Sequence, residues 1–161
     1  MIDFIPYGRQ YIDDEDIQSV IKVLKGDFIT QGPNVEMLEN NISKAVDVSH
    51  SVSFNSATSA LHIACLSLGL KKNDYLWTVP ITFVASANCG LYCGSKVDFV
   101  DIDPNTGLIC VETLHKKLIK AKENNKLPKV IIPVHLAGTS CDMSRIHKLS
   151  KEFGFSIIED A

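Results

Sequence analysis

Short apolar runs of strand length alternate with stretches of helical spacing along most of this chain. Val52-Ser53-Phe54, Tyr75 to Val79, Val97 to Ile102, Val130 to Val134 and Phe155 to Ile158 read as strands. Between them the spacing predicts helices over about Ser56 to Leu68, Phe83 to Cys93, Val111 to Lys122 and Met143 to Phe153, with Gly69 and Gly94 as stops. Strand-helix alternation of this kind implies an α/β fold, a mainly parallel sheet with helices on both faces, joined by right-handed crossovers. Ligands of such sheets sit beyond the carboxyl ends of the strands, so the loops there are the ones to read for chemistry.

The N-terminal third is organised differently. Phe4 to Arg9 reads as an extended arm. Asp13-Asp14-Glu15-Asp16 suits the positive end of a helix whose apolar face is Ile17, Val20, Ile21 and Leu24, with Gly26 as its stop. A loop containing Asp27, Phe28, Ile29 and Thr30 leads to Pro33, in the first turn of a second helix with Val35, Leu38, Ile42 and Ala45 on its apolar face.

Composition removes several function classes. Of 161 residues, sixteen are basic and nineteen acidic, a formal net charge of −3 that argues against a nucleic-acid partner. Apolar runs such as Val130 to Val134 are too short to span a bilayer, and Met1-Ile2-Asp3-Phe4 does not open a signal peptide. Five cysteines in apolar or helical contexts fit reduced thiols and a cytoplasmic location better than a disulfide framework. Cys89 and Cys93, four apart on one helical face, read as buried small apolar residues. The chain stops at Ala161, directly after a strand-like run, and the expectation is an N-terminal piece of a longer protein.

Five strand-end loops carry candidate chemistry. Phe54 to Leu61 passes from a strand through small and hydroxyl residues straight into a helix. The free amides of that helix start would suit an anion, with Thr58 and Ser59 as hydroxyl donors. A plain N-cap by Asn55 or Ser56 explains the same residues, and local sequence favours it. No Gly-x-Gly-x-x-Gly or Walker loop is present. Phe83, after Pro80, is placed to stack on a flat ring, although a single aromatic there more often belongs to a core. Asp101 and Asp103 read as a solvated strand end before a Pro104-Asn105 turn, without the further residues a metal site needs. His135, just past a strand, reads equally as ligand-facing or structural. Glu159-Asp160 brings a carboxylate to the ligand edge. That suits either a magnesium-nucleotide site or a pyridoxal-phosphate enzyme, whose aspartate keeps the pyridine nitrogen protonated. The missing Walker residues weaken the first.

Taken together, Tyr7-Gly8-Arg9-Gln10, Thr30-Gln31-Gly32-Pro33, Asn55 to His62, Thr82 to Asn88, Val100-Asp101-Ile102-Asp103 and Glu159-Asp160-Ala161 resemble the DegT-type nucleotide-sugar aminotransferases, fold-type I pyridoxal-phosphate enzymes. The resemblance runs in register over nearly the whole chain. It implies an incomplete large domain over residues 1–161, with the rest of that domain and a small C-terminal domain absent. It implies pyridoxal 5'-phosphate as cofactor, with Ala57, Thr58 and Ser59 at the phosphate, Phe83 on the pyridine ring and Asp160 at the ring nitrogen. Tyr7, Asp27, Phe28, Ile29, Thr30 and Ala57 match positions lining the sugar-nucleotide site. Glutamate as amino donor, a UDP-linked 4-keto-6-deoxy-N-acetylhexosamine of pseudaminic acid biosynthesis as acceptor, and a homodimer follow from the same likeness. The family's Schiff-base lysine has no match among the lysines present, so the resemblance implies an inactive fragment. Rivals on the same scaffold are a sugar 3-dehydratase, with histidine in place of that lysine, and a relative that binds ligand without turnover.

Overall fold

The computed structural model describes residues 8–161. They fall into two compact units, one ending at Ser53 and one running from Phe54 to Ala161.

The first unit holds two helices. Helix α1, Asp14–Leu24, begins with a reciprocal capping box in which Asp13 accepts from the Glu15 and Asp16 amides while Asp16 accepts from the Asp13 amide. Helix α2, Pro33–Ala45, starts on its proline after Gly32 at φ 84°. The apolar faces read from the sequence exist, but neither helix buries a residue: Val20 is 59% and Leu38 52% exposed. Two short helices lack the surface to enclose both stripes.

The second unit is a four-stranded, all-parallel sheet in the order β2-β1-β3-β4, where β1 is Tyr75–Thr78, β2 Lys96–Phe99, β3 Val130–Ile131 and β4 Ser156–Ile157. Helices α3 (Ala57–Ser67) and α4 (Ala85–Tyr92) supply one layer, α5 (Val111–Glu123) and α6 (Met143–Phe153) the other. Alternate residues of each strand go to opposite faces. Leu76, Val130 and Ile132 pack with Leu61, Cys65 and Cys89; Trp77 and Ile131 pack with Leu114, Leu118, Ile146 and Phe153. The expected helices on both faces of a parallel sheet are therefore present.

Two expectations need correction. Val52-Ser53-Phe54 forms no strand. The Ser53 amide, the donor that a ladder would need, goes instead to Glu39 Oε1 at 2.8 Å, and the Ser53 hydroxyl joins it there at 2.9 Å. The strands are also shorter than the apolar runs. Past β2, Ile102 keeps only an isolated antiparallel bridge to Ile109, and past β3, Val134 keeps only a parallel bridge to Asp160.

The strand order fixes where a ligand would sit. After β1 the chain steps outward to β2, then returns past β1 to β3 and continues to β4. The direction reverses between β1 and β3, and the crevice at their carboxyl ends is the switch point of the sheet.

Candidate active site

Three elements of the second unit deliver chemistry to the carboxyl edge of the sheet. The first is the start of α3. Ser56 is its N-cap, in extended backbone, with Oγ accepting from the Ser59 amide at 3.2 Å and lying 3.1 Å from Ser59 Oγ. The cap reading is thus correct for Ser56. It consumes the Ser59 amide and, among the described residues, leaves the amides of Ala57 and Thr58 uncommitted. Capping and anion binding are compatible here, because a helix start offers more amides than one hydroxyl satisfies.

The second element is the turn after β1. Phe83 is 73% exposed, so the core reading of this aromatic fails. The backbone explains this: the Phe83 carbonyl accepts from the Ser86 amide and lies 3.1 Å from Ser86 Oγ, which ties the main chain to the first turn of α4 while the ring stays outside. Ser86, in the first turn of α4, is fully buried.

The third element is the segment after β4. The Asp160 main chain is pinned to the strand-β3 extension, its amide donating to Pro133 O at 3.1 Å and its carbonyl accepting from the His135 amide at 2.8 Å. Its carboxylate Oδ2 accepts from Ser86 Oγ at 2.5 Å, across 74 positions of sequence. Thr82 Oγ1 lies 2.9 Å from Ser86 Oγ. A three-membered chain of hydroxyl, hydroxyl and carboxylate joins the β1 turn, the start of α4 and the end of β4.

Neither Ser86 nor Thr82 stands out in the sequence as a site residue. The available signal is a hydroxyl at helical spacing with the buried Cys89 and Gly90, since a buried hydroxyl needs a partner. Cys89 itself is fully buried, as expected for a small apolar residue, whereas Cys93 is only partly so. An unforeseen neighbour is Cys65, whose Sγ lies 3.7 Å from Cys89 Sγ. The hydrogen bond to Cys89, reinforced by burial, raises the Cys65 thiol well above its ordinary value.

The remaining candidates divide. Asp103 makes the turn read from the sequence, with Oδ1 accepting from the Asn105 amide at 2.8 Å and its carbonyl from Gly107 at 2.8 Å. Among the described residues, no group of three or more His, Cys, Asp or Glu is placed to hold a metal. Nor is any described helix long and apolar enough to cross a membrane. Asp27, Phe28, Ile29 and Thr30 lie in the first unit, between α1 and α2, all exposed. Tyr7 lies outside the described residues.

The donor set suits a phosphorylated, flat, protonatable heterocycle such as pyridoxal phosphate. It offers free amides for the anion, an outward aromatic for the ring, and a carboxylate with one oxygen engaged for a cationic nitrogen.

Comparison with known proteins agrees with that chemistry. The UDP-4-amino-4,6-dideoxy-N-acetyl-beta-L-altrosamine transaminase of Campylobacter jejuni is 39% identical over 157 residues, covering 98% of this chain and 40% of that protein. PseC of Helicobacter pylori, an aminotransferase involved in the biosynthesis of pseudoaminic acid, superposes with a TM-score of 0.85 at 32% identity, over 97% of this chain and 41% of its own. Spr1654 of Streptococcus pneumoniae, solved in a PLP-form, gives a TM-score of 0.87 at 27% identity, over 98% of this chain and 42% of its own. The chain spans about 40% of the length of the relatives it matches. The model of one family, the DegT/DnrJ/EryC1/StrS aminotransferases, matches residues 10–161. From its strand order to its family match, the chain belongs to the DegT/DnrJ/EryC1/StrS aminotransferase family.

Proposed function

We propose that residues 1–161 are the N-terminal part of the cofactor-binding large domain of a pyridoxal-phosphate-dependent sugar aminotransferase. The whole enzyme transfers an amino group from glutamate to C4 of a UDP-linked 4-keto-6-deoxy-N-acetylhexosamine in pseudaminic acid biosynthesis. It works as a homodimer in the cytoplasm. The likeness to the Campylobacter transaminase and to Helicobacter PseC supports this acceptor. Five free thiols support a reducing compartment.

Pyridoxal phosphate, when bound, supplies an electron sink for amino-group transfer. The chain's own residues bind and orient it. The amides of Ala57 and Thr58, with the hydroxyls of Thr58 and Ser59, hold the phosphate against the positive end of α3. Phe83 covers one face of the ring and keeps water from it. Asp160 holds a proton at the ring nitrogen. Tyr7, Asp27, Phe28, Ile29, Thr30 and Ala57 receive the sugar nucleotide.

The observation that carries this reading is the Asp160 carboxylate at the ligand edge, pinned through Oδ2 by a buried hydroxyl. The lysines of the chain support the view that the chain alone does not turn over. Lys129, at the amino end of β3, has its ammonium 2.6 Å from Gly69 O and 3.4 Å from Asp74, on the edge of the sheet away from the site. In the full-length protein, Asp160→Ala is expected to lower turnover at least ~100-fold while sugar-nucleotide binding changes little. Unchanged turnover would remove the assigned role, and 2-oxoglutarate formation by the chain alone would overturn its inactivity.

A further inference from the structure

We infer that Ser86 is a positioning residue for the cofactor. It holds the Asp160 carboxylate in one orientation, and Thr82 commits the Ser86 proton to that task. The inference rests on the assignment of Asp160 above and goes beyond it, to two hydroxyls that act on Asp160.

Ser86 Oγ has one proton and two acceptors in range, Phe83 O at 3.1 Å and Asp160 Oδ2 at 2.5 Å. The shorter distance lies in the range of a hydroxyl donating to a charged carboxylate, so the proton belongs to Asp160. The Ser86 oxygen then needs a donor, and Thr82 Oγ1 at 2.9 Å is placed to be one. Thr82 donates to Ser86, and Ser86 donates to Asp160. Ser86 is fully buried at the start of α4, where side-chain freedom is small and no water competes. The Asp160 backbone is already fixed by the hydrogen bonds to Pro133 and His135. Its side-chain rotation is the one freedom left, and the Ser86 bond removes it. Among the described residues that bond engages Oδ2 and not Oδ1, so Oδ1 is the oxygen left for the ring nitrogen.

A hydroxyl that acts only through the Asp160 side chain must lose its effect once that side chain is removed. In the full-length protein, pyridoxal 5'-phosphate affinity and the visible circular dichroism per bound cofactor would be measured for Ser86→Ala, Asp160→Ala and the double variant. Ser86→Ala should weaken cofactor binding about tenfold and diminish the visible ellipticity. The double variant should match Asp160→Ala in both readouts. Wild-type behaviour of Ser86→Ala, or an additive loss in the double variant, overturns the inference while leaving the Asp160 assignment standing. An Asp160→Ala variant with unchanged affinity and ellipticity sinks the assignment itself. Should Ser86→Ala fail to fold, Thr82→Val carries the test, with an expected loss of about threefold that also vanishes beside Asp160→Ala; no loss in Thr82→Val overturns the inference.

Discussion

His135 spends its side chain on Glu159 rather than on the site edge: Nε2 lies 2.9 Å from Glu159 Oε2. The other ring nitrogen, Nδ1, accepts from the Cys141 amide at 3.1 Å, which puts the proton on Nε2 and makes Glu159 the acceptor. The imidazole is 11% exposed and the carboxylate 47%. Both ring nitrogens are therefore committed, and of the two readings of His135 the structural one prevails.

That asymmetry in exposure predicts an asymmetry in cost. Removing the ring in His135→Ala strands the amide of the buried Cys141 and should lower stability by about 1–3 kcal/mol. Glu159→Gln retains an acceptor at a solvent-facing end and should cost less than about 0.5 kcal/mol. Chemical denaturation of the two variants checks this. Equal losses would mean that the ion pair, not the amide acceptor, is what His135 contributes.

Gly90 is a second point where one atom decides. It sits inside α4, where alanine would ordinarily favour the helix by about 1 kcal/mol. A Cβ there would come within 3.0 Å of Ser95 Oγ, in the turn before β2, and of Val97 Cγ2 in β2, and within 3.2 Å of Leu76 Cβ in β1. Leu76 is fully buried and cannot withdraw. Gly90→Ala should therefore destabilise the protein by a net ~1–2 kcal/mol, overpacking outweighing propensity. Thermal unfolding would show it, and Val97→Ala in the same background should return part of the loss. A Gly90→Ala variant more stable than the parent would contradict the close approach.

What the sequence made legible was whatever is decided within a few residues. Helix α6 has its bounds as read, since Asp142 caps one end and Gly154, at φ 79°, turns the other. Helix α2 likewise begins on Pro33. The parallel sheet was legible because each apolar run needs a crossover helix to reach its neighbour. What depended on partners was not. Val52 to Phe54 has strand composition, yet its Ser53 donors go to Glu39. Phe83 has core composition but is turned outward by the chain around it. The link between Ser86 and Asp160 joins residues 74 positions apart, so Asp160 could be read as a site residue while nothing near it in sequence paired it with Ser86. In the first unit the apolar stripes were read correctly as periodicity, but burial is a property of what surrounds a helix, not of the helix.

The Glu39 tether gives a pH prediction confined to the first unit. The Ser53 amide, and after it the Ser53 hydroxyl, hold the Glu39 carboxyl below its ordinary value of 4.5. A folded-state value below the unfolded one means that the tether contributes fully above the unfolded value and is lost as pH falls through the lower, folded one. The Ser53 amide resonance, followed by NMR through acid titration, should accordingly shift with a midpoint below 4.5. In Glu39→Gln the amide keeps a neutral acceptor, so the same resonance should show no titration of its own. A wild-type midpoint at or above 4.5 would mean that Ser53 does not bind the charged form of Glu39 in solution.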